Sequence, residues 1–390
     1  MTTKASNLRL AKRLDEVGFS DIVQIRNKVM ALRAAGEKVH MLHGGEPYFE
    51  TPEPIKYAAI QGLVENQTHY APSSGIAPLR EALAQKLSEK NNIPTTPDQV
   101  IATVGGSQAL YGAFQSVLDP GDDALVFAPY WTPIADLIRG AQARPLLVPT
   151  STARRNGIAN TLAQFSTPNT RCIYYNTPQN PSGVVFTRAE AEEVAAFAIE
   201  RDLIVVADEA YEDLVYDGTH FSIASLPGMA ERTITCFTFS KTYGMTGWRG
   251  GYAQAPEPFM TALRKIVLYS TNGVTTFVQT AMLQALKTPQ SEIAWRLEEY
   301  RKRRELLVAG LNAAGLVCDP PAGAFYAFPN VEKIHKNSRT AAEVLLEKAH
   351  IATIPGSVFG AQGEGHLRFG YALPIPEIEA CVAALKDFLG

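Results

Sequence analysis

Residues 240–251, with the sequence SKTYGMTGWRGG, decide how this chain is interpreted. They follow an apolar run at residues 233–239, whose composition is typical of a buried strand. Lys241 stands just after this run, and Arg249 comes eight residues later. A lysine amine can form a Schiff base with an aldehyde, and an arginine is a good partner for a phosphate dianion. The segment therefore favours a small ligand that carries both groups.

A second apolar run, at residues 203–207, ends in the acid Asp208. We interpret it as another buried strand, and an acid at its end could hold a pyridine nitrogen in the protonated form. An aldehyde, a phosphate and a pyridine ring on one small molecule describe pyridoxal 5′-phosphate. The two segments together predict this cofactor.

The bulk composition is that of an ordinary globular protein. The chain has 390 residues, 46% hydrophobic and 19% charged, with a formal net charge of −3, which leaves room for a large core and two domains. The basic residues 301–304 follow two glutamates in a helical pattern. We interpret them as a solvated helix face and do not expect nucleic-acid binding.

Nothing in the sequence indicates export or membrane insertion. Residues 1–14 lack the apolar core of a signal peptide, and no apolar run is long enough to span a membrane. The four cysteines, at positions 172, 236, 318 and 381, show no spacing typical of a metal site or a redox pair. We therefore expect a cytoplasmic protein that does not act at a membrane.

Strand-like and helix-like stretches alternate through the middle of the chain, which favours an α/β fold with a mainly parallel sheet flanked by helices. The sequence from Thr187 to Glu190 resembles a capping box that opens a helix. The strands predicted there cover residues 100–104, 124–127, 171–175, 203–207 and 233–239.

The C-terminal part of the chain has a different pattern. A long amphipathic helix is predicted at residues 296–314, and shorter strand-like pieces follow at 324–328 and 366–369. We therefore expect a smaller α+β domain beside the large one. The predicted division is 49–290 for the large, cofactor-binding domain, with 1–48 and 291–390 together forming the small domain.

Several polar residues follow the predicted strands, where ligands gather in parallel sheets. The turn at Gly106 and Ser107 joins a strand to a helix start and could bind an anion, while Asn180, Asp208 and Lys241 follow other strands. Taken singly, each has an ordinary alternative: turn chemistry, a β-turn, a helix cap or an exposed lysine. Their joint order and spacing indicate one pocket.

Together these motifs resemble the class I and II aminotransferases, the aspartate aminotransferase-like group of fold-type I pyridoxal-phosphate enzymes, over nearly the whole chain. The resemblance implies catalytic roles for Lys241, Asp208 and Tyr211. It implies substrate contacts from Gly45, Asn180 and Arg368. The cofactor-binding residues that it implies are Tyr70, Gly106, Ser107, Gln108, Trp131, Asn180, Asp208, Tyr211, Thr238, Lys241 and Arg249.

The resemblance also assigns individual roles. Lys241 would carry the cofactor and then act as the base, and Arg368 would bind the substrate α-carboxylate. Tyr70 would reach the phosphate in a neighbouring subunit, which implies a homodimer with shared active sites. Two positions depart mildly from the family pattern, since Thr238 and Gly370 stand where serine is common.

The implied activity is transfer of the amino group of an α-amino acid to a 2-oxo acid. A carbon–sulfur β-lyase or an aminocyclopropane-carboxylate synthase could keep the same residues, so these alternatives stay open. A non-catalytic ligand-sensing module is a more distant alternative. The first 48 residues are too short and insufficiently basic for the DNA-binding segment that such regulators carry. No residue identifies the amino donor.

Overall fold

The computed structural model describes residues 11–18 and 21–390, with side chains for all of these except residues 21–24. Residues 1–10 and 19–20, which belong to the predicted small domain, lie outside the described part. Within it, the strands are β1 His40–Met41, β2 Val100–Val104, β3 Asp123–Ala128, β4 Arg144–Pro149, β5 Thr170–Asn176, β6 Ile204–Asp208, β7 Thr233–Thr238, β8 Gly250–Gln254, β9 Tyr326–Ala327, β10 Ile351–Ala352, β11 Ile354–Pro355 and β12 Leu367–Gly370.

Helices cover both faces of the largest sheet and form much of the C-terminal part. Their bounds are α1 Asp21–Ala34, α2 Glu53–Val64, α3 Ala77–Lys90, α4 Gly105–Val117, α5 Pro133–Gly140, α6 Thr150–Asn156, α7 Ile158–Phe165, α8 Arg188–Glu200, α9 Phe259–Thr271, α10 Thr276–Ala285, α11 Gln290–Ala313, α12 Ser338–Ala349 and α13 Ile375–Leu389. None of these helices in the described ranges is long and apolar enough to cross a bilayer.

A seven-stranded sheet in the order β2-β8-β7-β6-β5-β3-β4 forms the centre of the molecule. The five strands from β7 to β4 are parallel, and β8 is antiparallel to both of its neighbours. The inner strands are buried on both faces because separate clusters of apolar side chains pack above and below them. The α/β class and the mainly parallel sheet expected from the sequence are therefore confirmed.

The helix that was predicted from its capping box begins where expected. The Thr187 hydroxyl accepts a hydrogen bond from the Glu190 amide at 3.2 Å, and the Glu190 carboxylate accepts one from the Thr187 amide at 2.8 Å. Two amides at the start of α8 are thereby satisfied. The helix ends at Glu200.

The basic run at residues 301–304 is only partly a solvated face, and that interpretation is wrong for two of its members. Arg303 and Arg304 are buried. Arg303 donates to the Leu373 carbonyl at 2.8 Å and to Glu299, while Arg304 donates to Asp217 and to a backbone carbonyl. Each guanidinium is buried because acceptors surround it, so burial does not leave the charge unpaired.

Two small sheets lie outside the large one. β11, β12 and β9 form an antiparallel sheet, and β1 pairs in parallel with β10, so the N-terminal segment joins the C-terminal part of the chain. The large sheet uses residues 100–254 and the small ones use residues 40–41 and 326–370. The exact domain division stays a prediction.

Candidate active site

A cavity of about 480 Å³ lies at the carboxyl ends of β5, β6 and β7, between the large sheet and the three-stranded sheet. This is the edge at which ligands bind in parallel sheets. Most of the predicted site residues line it: Gly45, Gly106, Ser107, Trp131, Asn180, Asp208, Tyr211, Thr238, Lys241, Arg249 and Arg368. The structure thus brings together residues that are far apart in sequence.

Lys241 projects into this cavity from the loop that follows β7. Its Nζ donates a hydrogen bond to the carbonyl of Gly45 at 2.8 Å and lies 5.7 Å from the centre of the Tyr211 ring. Burial, together with the nearby charge of Arg368, lowers the pKa of the Lys241 amine to about 8. Near neutral pH, a larger fraction of this amine is therefore unprotonated, and so nucleophilic, than for an exposed lysine.

Asp208 ends β6 with its carboxylate facing the cavity. The hydroxyl of Tyr174 donates to one carboxylate oxygen at 2.7 Å, and the amide of Ala210 donates to the other at 3.2 Å. Burial raises the pKa of this carboxyl group to about 6 even though both hydrogen bonds favour its anionic form. A cation in the cavity would stabilise the anion, and a protonated pyridine nitrogen is such a partner.

The start of α4 and the Arg249 guanidinium form a second corner of the cavity. An additional carbon on Gly105 would collide with Arg249, and one on Gly251 would lie 2.5 Å from the carbonyl carbon of Gly105. Only glycines allow this close approach of helix, strand and guanidinium. The free amides of the first helical turn and the arginine together suit a phosphate group.

Thr238 and Ser240 add hydroxyl groups at the same corner. The Thr238 hydroxyl donates to the Ser240 hydroxyl at 2.9 Å and accepts a bond from the Ser240 amide at 3.1 Å. Both residues line the cavity beside Gly106. A threonine in the place of the usual serine therefore keeps a hydroxyl at this corner.

The Arg368 guanidinium forms the opposite end of the cavity and is only 3% exposed. It donates to the Asn180 amide oxygen at 3.0 Å and to the carbonyl of His43 at 3.1 Å. Its Nε has no hydrogen-bond partner in the described part of the chain. No acidic side chain among residues 11–18 and 25–390 forms an ion pair with it. A buried guanidinium with donors to spare is a suitable site for a carboxylate.

Gly370, the last residue of β12, is required by a close contact of the backbone. An additional carbon on Gly370 would lie 2.5 Å from the carbonyl oxygen of Gly44, and the Gly370 amide donates to the carbonyl of Leu42 at 2.6 Å. The segment before Gly45 therefore lies directly against β12. A serine here would push that segment away, so the departure from the family pattern matches a local close contact.

Two predicted residues do not line the cavity. The Gln108 amide oxygen accepts from the Val104 amide at 2.6 Å, and its nitrogen donates to the hydroxyls of Ser270 and Thr271, both at 2.9 Å. This side chain holds the turn between β2 and α4, so only its backbone can serve a ligand at the helix start. Tyr70 is 94% exposed on a loop outside the cavity of its own chain.

Tyr326 is an aromatic residue of the site that the sequence pattern did not indicate. Its hydroxyl lies 2.9 Å from that of Tyr211, and the Arg368 guanidinium lies 4.3 Å from the centre of its ring. The apolar pattern at residues 324–328 predicted a strand there, but nothing in it indicated which side chain would face a ligand. Glu46, Asn176 and Thr246 line the cavity as well, although they were not among the predicted site residues.

Comparisons with known proteins agree with this geometry. The family model for aminotransferase class I and II matches residues 37–385. The aspartate/prephenate aminotransferase of Thermus thermophilus is 39% identical, over 98% of this chain and 99% of that protein. Aromatic-amino-acid aminotransferase 2 of Thermococcus litoralis is 37% identical, over 98% of both chains.

Solved structures show the same similarity in three dimensions. The aspartate aminotransferase from Thermus thermophilus with maleate has a TM-score of 0.93 at 36% identity, covering 97% of this chain and 99% of that one. The aspartate aminotransferase from Rhizobium meliloti has a TM-score of 0.93 at 31% identity, covering 98% and 99%. The chain therefore belongs to the aminotransferase class I and II family and is an aminotransferase.

Proposed function

We propose that this protein uses pyridoxal 5′-phosphate to transfer the amino group of an α-amino acid to a 2-oxo acid. The observation that carries the proposal is a single cavity with an amine of lowered pKa, a buried carboxylate and a buried arginine that has no acidic partner among the residues with described side chains. When bound, the cofactor supplies an aldehyde for amines and a ring that takes up the electron pair left on the substrate α-carbon.

The lining residues fit this cofactor group by group. Lys241 would hold the aldehyde group, and Asp208 would pair with the ring nitrogen. Arg249 and the amides at the start of α4 would bind the phosphate. Asn180 and Tyr211 would donate to the phenolic oxygen. The indole of Trp131 would cover one face of the ring, and the hydroxyls of Ser107, Thr238 and Ser240 would complete the phosphate contacts.

Lys241 performs the proton transfer in this proposal. Its Nζ would take a proton from the substrate α-carbon, hold it, and return it to the carbon that was the aldehyde carbon of the cofactor. The lowered pKa suits this task, because a base works best when its pKa is near the working pH. Asp208, as an anion, stabilises positive charge at the ring nitrogen while the proton moves.

Arg368 orients the substrate. Two parallel hydrogen bonds from a guanidinium to the α-carboxylate fix both position and direction, which a lysine cannot do. Asn180 and the carbonyl of His43 hold the guanidinium in place from two sides. Every α-amino acid carries this carboxylate, so the contact selects the class of substrate without reading its side chain.

The proposal is tested with purified holoenzyme and a panel of amino donors against 2-oxoglutarate and pyruvate. Aspartate and aromatic amino acids come first because the relatives are named for them. Loss of the visible cofactor absorbance with a donor alone, reversed by a 2-oxo acid, supports transamination. Pyruvate and ammonia released without an acceptor would show β-lyase chemistry instead, and absence of any cofactor uptake would contradict the proposal.

Replacement of Arg368 by lysine should raise KM and lower kcat/KM for every amino donor by a similar factor. The loss of one charge-assisted hydrogen bond corresponds to about 1.5–3 kcal/mol, or roughly 10- to 150-fold. Steady-state kinetics with several donors measure it. Amines without a carboxylate are the control and should be nearly unaffected. A variant that discriminates among side chains but handles the carboxylate normally would place Arg368 in the side-chain pocket.

We also propose that the enzyme works as a homodimer. Several apolar side chains outside the cavity are exposed, among them Tyr57 at 63%, Val64 at 75% and Tyr269 at 86%. Tyr57 and Val64 lie on α2, which packs against α10, and the loop that carries Tyr70 bonds to the start of α10 through Thr276. Exposed apolar surface of this kind favours a partner.

The four cysteines are buried and unpaired, which supports the cytoplasmic location predicted from the sequence.

Replacement of Tyr70 by phenylalanine should weaken cofactor binding by about 1.5–3 kcal/mol, because the phosphate of the neighbouring subunit would lose one charge-assisted hydrogen bond. Equilibrium titration of the apoenzyme with pyridoxal 5′-phosphate measures the change. The matched control is Tyr57→Phe, which removes the hydroxyl of another exposed tyrosine. Mixing the Tyr70 variant with a Lys241→Ala variant should restore one intact site per mixed dimer, whereas an active monomer in sedimentation would exclude shared sites.

A further inference from the structure

Tyr326 lies between two groups with separate tasks in the proposed reaction. Its hydroxyl is 2.9 Å from that of Tyr211, which faces the cofactor position. Its ring lies under the Arg368 guanidinium, 4.3 Å from centroid to guanidinium carbon. The residue is 1% exposed and lines the cavity.

The backbone before Tyr326 fixes the position of its side chain. Ala324 is in the left-handed region, with φ of +59°, and its amide donates to the carbonyl of Leu214 at 2.8 Å. The hydroxyls of Tyr216 and Tyr371 donate to the carbonyl of Ala324 at 2.5 Å and 3.2 Å, respectively. Such a conformation persists only where surrounding contacts hold it. Tyr326 then enters β9, which pairs with β12, the strand of Arg368.

Of the two possible directions of the hydrogen bond between the phenols, only one leaves Tyr211 able to donate to the cofactor. Each hydroxyl has one proton to donate. Arg368 directs its terminal nitrogens to Asn180 and His43, so it leaves the two phenols to each other. If Tyr211 donates toward the cofactor, its oxygen is free to accept the proton of Tyr326. Burial raises the pKa of both phenols, so each stays a neutral donor near neutral pH.

We propose that Tyr326 is a positioning residue with two contacts. Its hydroxyl donates to Tyr211, which directs the Tyr211 proton at the phenolic oxygen of the cofactor, and its ring supports the guanidinium that receives the substrate carboxylate. The inference rests on the proposed function, since it requires the cofactor in this cavity. It adds a residue that touches neither the reacting atoms nor the carboxylate, but orders the groups that do.

The two contacts have separate signatures. Donation to the phenolic oxygen stabilises its anion, so a weaker donor raises the pH midpoint at which the absorbance of the bound cofactor changes. Tyr326→Phe removes the hydroxyl and keeps the ring. It should therefore raise this midpoint by roughly 0.1–0.7 pH unit and leave KM unchanged. The size follows because donation from Tyr326 would strengthen the bond from Tyr211 to the phenolic oxygen by about 10–30% of a charge-assisted hydrogen bond.

Three further variants separate this role from a merely structural one. Tyr211→Phe loses the bond itself and should raise the midpoint by roughly 1–2 units. Tyr211→Phe combined with Tyr326→Phe should give the same shift as Tyr211→Phe alone, because Tyr326 acts through Tyr211. Tyr326→Leu lacks the ring as well, so it should also raise KM for all amino donors.

The matched control is Tyr300→Phe, which removes a buried tyrosine hydroxyl that accepts a hydrogen bond from the Tyr48 amide and has no bond to Tyr211, Ala324 or Arg368 among the described residues. Its absorbance midpoint should equal that of the wild type. If Tyr326→Phe does not fold, 3-fluorotyrosine at position 326 serves instead. Its hydroxyl is more acidic and a better donor, so the midpoint should fall.

The outcomes are distinguishable. An unchanged midpoint in Tyr326→Phe, or shifts that add in the double variant, overturns the inference and leaves the proposed function intact. A shift of equal size in Tyr300→Phe also overturns it, because the effect then comes from general disruption. A wild-type protein that takes up no pyridoxal 5′-phosphate overturns the proposed function itself.

Discussion

Replacement of Lys241 by alanine should lower the rate of transamination by roughly 10⁴-fold or more. Proton transfer by a positioned base alone contributes about 10²- to 10⁴-fold, and this lysine is also the residue expected to hold the cofactor covalently. Its Nζ is the amine at the floor of the cavity, 2.8 Å from the carbonyl of Gly45. Single-turnover absorbance measurements on reconstituted protein give the rate directly.

The matched control for this variant is Lys302→Ala, which removes a half-exposed lysine on α11 paired with Glu299. Its turnover should be that of the wild type. Borohydride treatment of the wild-type holoenzyme should fix the cofactor on Lys241, as peptide mapping would show. A label on another lysine, or near-normal turnover of the alanine variant, would contradict the assignment.

Replacement of Asp208 by asparagine should lower turnover by roughly 10²- to 10⁴-fold. A buried charge pair that loses one partner is weakened by about 3–5 kcal/mol, and here the ring nitrogen loses its anionic partner. The asparagine has nearly the same shape, so Tyr174 can still donate to its amide oxygen. Cofactor affinity should fall much less than turnover, because Arg249 and the start of α4 still bind the phosphate.

Steady-state kinetics and a cofactor titration of the same variant separate these two effects. Asp123→Asn is the control, since Asp123 is a buried carboxylate of the same sheet that pairs with Arg144 far from the cavity lining. That variant should lose stability but keep its turnover number. Asp208→Asn with near-normal turnover, or with cofactor affinity reduced as much as turnover, would exclude Asp208 as the partner of the ring nitrogen.

Most strands of the large sheet and most residues of the site were predictable because they depend on local patterns. Apolar runs followed by Asp208 and Lys241 mark strand ends, and parallel strands bring their carboxyl ends to one edge. Two strands of the large sheet were missed. β8 begins with Gly250 and Gly251, which look like a turn, and β4 is an edge strand with an exposed arginine at its start.

Side-chain direction was not predictable from the same patterns. The Gln108 side chain turns back toward the backbone because the Val104 N–H, at the start of α4, needs an acceptor. Arg303 and Arg304 are buried because carbonyls from distant loops surround them, which a local charge pattern does not reveal. Tyr326 faces the cavity because of a left-handed residue two positions earlier.

The site joins segments that are far apart in the sequence, and this affects how the protein folds. The bond from Arg368 to the His43 carbonyl spans 325 positions, and that from Lys241 to the Gly45 carbonyl spans 196. Contacts between such distant positions form slowly, because loop-closure entropy is lost before any contact compensates for it. During refolding, helices can form while these distant segments are still apart. The ability to bind cofactor therefore reports that the whole chain has folded, whereas circular dichroism reports only its local order.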